Sequence, residues 1–487
     1  MSERIHSLFM TKVRAARATQ DSTRVTSKAA LDLEGLKPEG MTWHDYLILL
    51  LQIGAELEHC LMVQYLYAAY SLGGPRVAPE HRAAVRTWQE VILTIAREEM
   101  GHLLAVQNML VLLGGPINLG RQDAPWDSPF YPFPFELEPV SLDSLACYLW
   151  AEMPPAVPQT EKYAEFHAVD LALITAAVAK RIPPGQSAHH VDEIYESIIA
   201  IVSDPAKIPD SAFNAESWDR QLSWDEFAKG YGPQTATPLP AGTAGTQRAS
   251  EWPARVIVPQ MATRTMMLAA LRDIAGQGES PHLGDDTLEP SHFDRFLEVY
   301  QAMRRHGAAT VTHDVVTNPT TVPSREHDAT YLRSPRARSW AALANMRYRL
   351  LLAYLTHLYH LPISAESHRP GTRPGTMHRI FSEMYNLKAL CGLLAHVPAH
   401  GDAGGPFTGA PFEVPYVLQL PADERDRWRA HRDTHQASIA ICDELLVDEP
   451  TLEGQKYLTA LRELDRQSLT WLEQMLGTPA TTPRVTT

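Results

Sequence analysis

The chain has 487 residues, 45% of them hydrophobic, which is enough for one large core or for two to three domains. Its formal charge of −14 and the lack of any basic run argue against nucleic acid as a partner, because phosphate recognition needs a basic surface. Cys60, Cys147, Cys391 and Cys442 are widely spaced with no CxxC pair, a pattern of reduced, cytoplasmic thiols rather than of a disulfide scaffold or zinc module.

The opening MSERIHSLFMTKVRAARATQ lacks the apolar stretch of a signal peptide, and no apolar run is expected to reach membrane-spanning length. Residues 1–42 read as a polar N-terminal arm. Thr42 followed by Asp45 resembles a helix start, and a long helix is expected from Trp43 to about Leu72, stopped by Gly73-Gly74-Pro75. A second runs from about Pro79 to Leu113, stopped by Gly114-Gly115-Pro116. The Pro- and aromatic-rich stretch 116–140 must be loop. Shorter helices follow near 141–152, 159–180 and 189–203, then a loop-rich insertion at about 204–260. Helical patterns resume at about 261–275 and 291–305, closing a bundle over 43–305. A C-terminal helical region, 306–475, holds helices near 338–360, 374–395, 423–446 and 452–475, and the tail 476–487 reads as disordered. Strand alternation is scarce, so the fold class is mostly α with long loops.

The chemistry concentrates on the two long helices. In REEMGHLLAVQNMLVLLGG, Glu99 and His102 fill a gap in the apolar series Ile92, Ile95, Val106, Met109, Leu113. They stand three apart, so both project from the buried face. On the preceding helix, Glu58 shares a stripe with Gly54, Leu61, Met62 and Tyr65. Buried acids are costly unless they are paired or metal-bound. Two helices that each turn acids inward form half of a carboxylate-bridged di-metal bundle. Imidazoles beside carboxylates suit iron better than calcium or magnesium. An isolated ExxH usually marks a solvated helix face, and spacing alone leaves both a metal site and that reading open. His59 reads as a neighbour of the ligands or as a buried hydrogen-bonder, and Tyr65 as a residue that could face the metals. Glu56 and Glu98 read as surface or hydrogen-bonding residues.

For the other half, Glu193 in HHVDEIYESIIAIV is one candidate, with Glu196 its rival for the inward face. His292 opens a helix with the stripe Phe296, Val299, Met303. Glu289 stands three before it, but Pro290 between them disturbs a regular turn. Glu279 in GQGES is the competing carboxylate.

At these residues the sequence resembles the ferritin-like domain family typified by iminophenyl-pyruvate dimer synthases, relatives of the chromopyrrolic acid synthases of bisindole antibiotic pathways. The resemblance rests on AELEHCLMVQYLYAAYSL, on IAREEMGHLLAVQNMLVLLGG with the aromatic loop after it, and on DEIYESI. It continues through QGES and SHFDRF to RLLLAYLTHLYHL and GGPFTGAPFEVP, and so covers most of the chain from about Trp43 to Pro415. It implies a ferritin-like helical bundle and favours Glu279 over Glu289, although Ser280 replaces the glycine of the family's QGEG-like segment. The ligand set so implied is Glu58, Glu99, His102, Glu193, Glu279 and His292, holding two iron ions (manganese or a mixed pair being the alternatives) with O2 as co-substrate. The bisindole synthases are longer chains with an additional half, so their dimerising reaction does not carry over by resemblance alone.

The expectation is therefore a cytoplasmic, non-haem, di-iron oxidase or oxygenase acting on an amino-acid-derived small molecule. No nucleic acid or membrane partner is expected, and self-association into a homodimer is permitted. Two rivals stand beside it. One is a ferritin-like storage or detoxification protein. The other is a haem enzyme with His357 or His360 as axial ligand.

Overall fold

A computed structural model describes residues 3–19, 32–131, 133–154, 156–182, 192–231, 255–278, 290–307, 310–363, 371–401, 405–414 and 418–477. They form two compact units. Unit 1 takes in the described residues up to Asn318 together with His327–Thr330, and unit 2 takes Pro319–Glu326 and those from Tyr331 onward.

Unit 1 contains α1 (Glu3–Thr19), α2 (Trp43–Ser71), α3 (Arg82–Leu112), α4 (Leu142–Ala151), α5 (Leu171–Ala179), α6 (Asp192–Ser203), α7 (Trp224–Tyr231), α8 (Arg264–Gly278) and α9 (His292–His306). Short 3-10 turns and one π-helical turn, Phe166–Asp170, lie between them. Unit 2 contains α10 (Pro335–Leu358), α11 (Arg373–Leu394), α12 (Glu424–Asp448) and α13 (Leu452–Gly477). Among the described residues the strands are confined to one short ladder, Pro319–Thr320 with Thr330–Tyr331, where the chain passes from one unit to the other. The mostly helical fold class thus holds, and the expected helices recur within a few residues of their expected ends, except that 159–180 is divided into a 3-10 turn (Glu161–Tyr163), the π-helical turn and α5. Two helices were not expected. The polar arm folds as α1, which buries Phe9, Met10 and Val13. The insertion 204–260 carries α7 and two 3-10 turns. Residues 478–487 of the expected disordered tail lie outside the described residues.

Local signals explain the long helices. The Thr42 side chain caps α2 by accepting from the Asp45 backbone N–H at 3.0 Å. Gly73 and Gly74 end the helix with φ of 108° and 100°, a conformation costly for any other residue. α2 is buried on nearly every face, including Leu47, Leu50, Leu57, Leu61 and Ala68. Contrary to the sequence expectation, it is long and apolar enough to cross a membrane, but 89% of its most apolar window is buried inside the protein. A core helix needs that composition because neighbours surround it on all sides. α2 packs along α3 and α6, α4 packs on α5 and α9, and α6 packs on α8. In unit 2, α10 packs on α11 and α12, and α12 on α13.

Candidate metal centre

α2 and α3 bring Glu58, Glu99 and His102 together, as their helical spacing predicts. The His102 Nδ1 lies 3.0 Å from Glu99 Oε2 and 3.4 Å from Glu58 Oε2. His292, the first residue of α9, presents its Nδ1 2.9 Å from Glu99 Oε1 and 3.6 Å from Glu152 Oε2. Two ligand trios result, Glu58–Glu99–His102 and Glu99–Glu152–His292, each with its atoms within 4.8 Å of one another. A single ion with bonds of about 2 Å spans nearly that distance. Glu99 belongs to both trios and turns one oxygen toward each imidazole. All five side chains are at least 95% buried. With Leu61, Tyr195, Ile274, Ala275 and Gly278 they line a cavity of about 40 Å³.

The electrostatics match a cation site. Burial pushes the Glu58 carboxyl up to about 7, against the pull of His102. Burial also raises Glu152, with the charge of Glu99 adding to it. Glu99 goes the other way: burial opposes its ionisation, but His292 and His102 together hold it below the usual carboxylate range. Burial would lower His102, yet its hydrogen bonds to Glu58 and Glu99 raise it to about 10. Among the described residues no lysine or arginine touches Glu58, Glu99 or Glu152. Glu58 Oε2 and His292 Nδ1 are buried and make no well-aligned hydrogen bond among the described residues, with His102 Nδ1 3.4 Å from the first and Glu99 Oε1 2.9 Å from the second. Unpartnered buried polar atoms are costly, and a cation on each trio would satisfy them. The residues present therefore fit a dinuclear centre, which Glu58, His102, Glu152 and His292 would hold together with Glu99, the carboxylate common to both trios.

A second ring of side chains fixes the first. Tyr195 on α6 donates to Glu58 Oε1, and Tyr65 on α2 donates to Glu152 Oε1 at 2.5 Å. The His102 Nε2 meets Gln277 Oε1 at 2.9 Å, while the His292 Nε2 meets Glu98 Oε2 at 3.1 Å. Glu98 is held in turn by the Arg295 guanidinium at 2.9 and 3.0 Å and by the Arg255 backbone N–H at 2.8 Å. The glycine of REEMGH makes that last contact possible. A Cβ on Gly101 would lie 2.8 Å from the Ile257 nitrogen and from Val256 Cγ1, so only glycine lets the 255–258 segment press against α3.

The sequence-derived set is thus partly redrawn. Glu58, Glu99, His102 and His292 converge. Glu193 does not join them, because its carboxylate is ion-paired with Arg17 of α1 at 2.9 Å. Its place as third acid is taken by Glu152, at the C-terminal end of α4. The signal for Glu152 was an acid on the same face as Leu145 and Tyr148 in SLACYLWAEMPP. Glu279 and its rival Glu289 lie outside the described residues, although Gly278 lines the cavity. His59 does not join the centre. It sits beside Arg121 and the backbone of Leu119 and Gly120, and burial keeps it neutral. Tyr65 is a direct partner of the cluster through Glu152.

Comparison with known proteins places these features in a lineage. The chain is 24% identical over 429 residues to dichlorochromopyrrolate synthase of Lentzea aerocolonigenes, a match covering 74% of this chain and 35% of that protein. It is 32% identical over 141 residues to 2-imino-3-(indol-3-yl)propanoate dimerase of Chromobacterium violaceum, covering 23% of this chain and 13% of that one. The aligned part is thus about a third or less of each relative's length. Both relatives are biosynthetic enzymes. No solved structure gives a significant match. The family model for ferritin-like proteins matches residues 51–301, which run from within α2 to within α9 and hold every residue of the centre, and the chain belongs to that ferritin-like family.

Proposed function

We propose that this protein is a non-haem, O2-dependent oxidoreductase of specialised metabolism that uses a dinuclear iron centre on an amino-acid-derived imine or α-keto acid. The observation that carries the proposal is the position of Glu99, one oxygen toward each trio, midway between two imidazoles. A pair of redox-active ions held there would supply the electrons that O2 reduction requires. The preference for iron over manganese or a mixed pair rests on the nitrogen and oxygen donor set. The imine or keto-acid substrate class is suggested by the relative named as an imino-acid dimerase.

The chain's own residues prepare the centre. Glu58 and Glu152 each accept a tyrosine hydroxyl, which leaves the second oxygen of each for an ion and fixes its angle. The two imidazoles turn Nδ1 inward because Nε2 is engaged behind them. Leu61, Ile274 and Ala275 give the cavity apolar walls that limit water. At about 40 Å³ it admits a few water-sized molecules and no aromatic ring, so the substrate would rest outside it. A small-molecule partner, a cytoplasmic setting and a homodimer complete the proposal, and the charge of −14 speaks against nucleic acid.

The haem alternative has no support in the geometry of His357. Its Nδ1 meets His431 Nε2 at 2.9 Å and its Nε2 meets Glu424 at 2.9 Å, so neither ring nitrogen is open to an axial bond. Elemental analysis of protein produced with added iron tests the main proposal. About two irons per chain in the parent, and almost none in a Glu99→Ala, His102→Ala variant, is the expected result. Oxygen-uptake screens with aromatic amino acids and their imine or keto derivatives follow. Folded protein without metal would refute the dinuclear reading, and iron far above two per chain would turn it into storage.

A further inference from the structure

The two halves of the centre form a controlled comparison. Among the described residues each has one terminal glutamate, Glu58 or Glu152. Each of those accepts a tyrosine hydroxyl, from Tyr195 or Tyr65. Each half has one imidazole presenting Nδ1, and both share Glu99. They differ in what stands behind the imidazole. The His102 Nε2 faces the neutral amide oxygen of Gln277, whose nitrogen donates to the Arg255 carbonyl at 2.9 Å. The His292 Nε2 faces the carboxylate of Glu98, fully buried and clamped by Arg295. A carboxylate behind an imidazole fixes its tautomer and makes the opposite nitrogen a stronger donor, and losing such a partner typically weakens metal binding 10- to 100-fold. An amide oxygen orients the ring but adds less to its donor strength.

We infer that the two metal positions are unequal. The position at Glu99, Glu152 and His292 is the tighter, and Glu98 is the positioning residue that makes it so. This inference rests on the dinuclear reading. Arg295 is needed because an unpaired carboxylate would be too costly to bury beside three others, so the guanidinium keeps Glu98 charged in place. The centre would then fill in order, the His292 position first and the His102 position second.

The test is a Mn2+ titration of the metal-free full-length chain, with free ion followed by electron paramagnetic resonance and melting temperature read at each point. The expected result is two binding steps about 10-fold or more apart. His292→Ala should abolish the tighter step and His102→Ala the weaker, which assigns them. Glu98→Gln should weaken the tighter step about 10- to 100-fold and leave the other in place. Should Glu98→Gln prove unstable because Arg295 loses its counter-ion, the Glu98→Gln, Arg295→Gln pair replaces it. Gln277→Leu is the mirror experiment and should weaken only the second step. Two ions bound with equal affinity, or a Glu98→Gln effect shared by both steps, would overturn the inference while leaving the dinuclear reading intact. A parent that binds fewer than two ions would overturn both.

Discussion

In unit 2, Arg347 lies fully buried between two acids. It meets Glu383 through Nε at 2.7 Å and Asp465 through Nη1 at 2.7 Å, with Ser438 at 3.2 Å. His435 binds the same Asp465 oxygen at 2.6 Å and accepts company from Tyr354 at 2.9 Å. In unit 1, Glu58, Glu99 and Glu152 are buried as deeply, yet no guanidinium or ammonium reaches them among the described residues. The fold can therefore neutralise buried acids with its own cations, as it does at Glu383 and Asp465 in unit 2 and at Glu98 and Glu193 in unit 1. Where it does not, two imidazoles and a small cavity face the acids instead. One cluster is closed and structural, and the other is arranged for a cation from solution.

The largest expected effects would break this contrast from either side. Arg347→Met leaves Glu383 and Asp465 buried without their counter-charge and should cost about 3–5 kcal/mol, seen as a large fall in melting temperature. Glu58→Gln in the metal-free protein replaces a carboxyl that burial already pushes up to about 7, so its stability should stay within about 1 kcal/mol of the parent or rise. A loss as large as that of Arg347→Met would mean that Glu58 is already satisfied within the fold. Next in size is the effect of metal itself. Ferrous iron at about 100 times its dissociation constant should stabilise the parent by about 2.7 kcal/mol, an effect a chelator reverses. Glu99→Gln, which alters the carboxylate common to both trios, should abolish that response in the same thermal assay.

Smaller effects sharpen the comparison. Tyr195→Phe removes the donor to Glu58 and should cost about 0.5–1.5 kcal/mol while the protein still binds metal, which separates orientation from ligation. Asp465 carries a pH signature. Burial opposes its ionisation, but His435 and Arg347 together hold the carboxyl below the usual range. A depressed carboxyl contributes stability above its unfolded pKa, about 3.9, and that contribution fades as pH falls through the lower folded value. The melting temperatures of the parent and Asp465→Asn should therefore differ most near neutrality and converge below about pH 4. Parallel curves would place the stabilising charge elsewhere.

The reach of the sequence differs from residue to residue. Glu58, Glu99 and His102 were legible because an acid at a helical core position contradicts its surroundings, and that contradiction is local. His292 was legible for the same reason, helped by Ser291, which caps α9 by accepting from the Asp294 N–H at 3.2 Å. Glu152 was not, because an acid just past the last turn of a helix ordinarily meets solvent, and here α9 covers it. Glu193 misled for a complementary reason. It is buried as expected, but its partner is Arg17, far away on a helix that composition alone presents as a polar arm. Glu98, read as a surface or hydrogen-bonding residue, is a buried hydrogen-bonder whose partner Arg295 lies on another helix.

By itself the sequence determined most of the helices and their ends, and the inward acids of α2 and α3. Those properties follow from periodicity, caps and glycine stops within a few turns of chain. The tertiary structure decided which acids share an ion's space, which answer to an arginine, and what stands behind each imidazole. Those choices depend on contacts between α3, α4, α8 and α9, and a charge is neutralised by whatever lies within a few ångströms in space, however far away it lies in the chain.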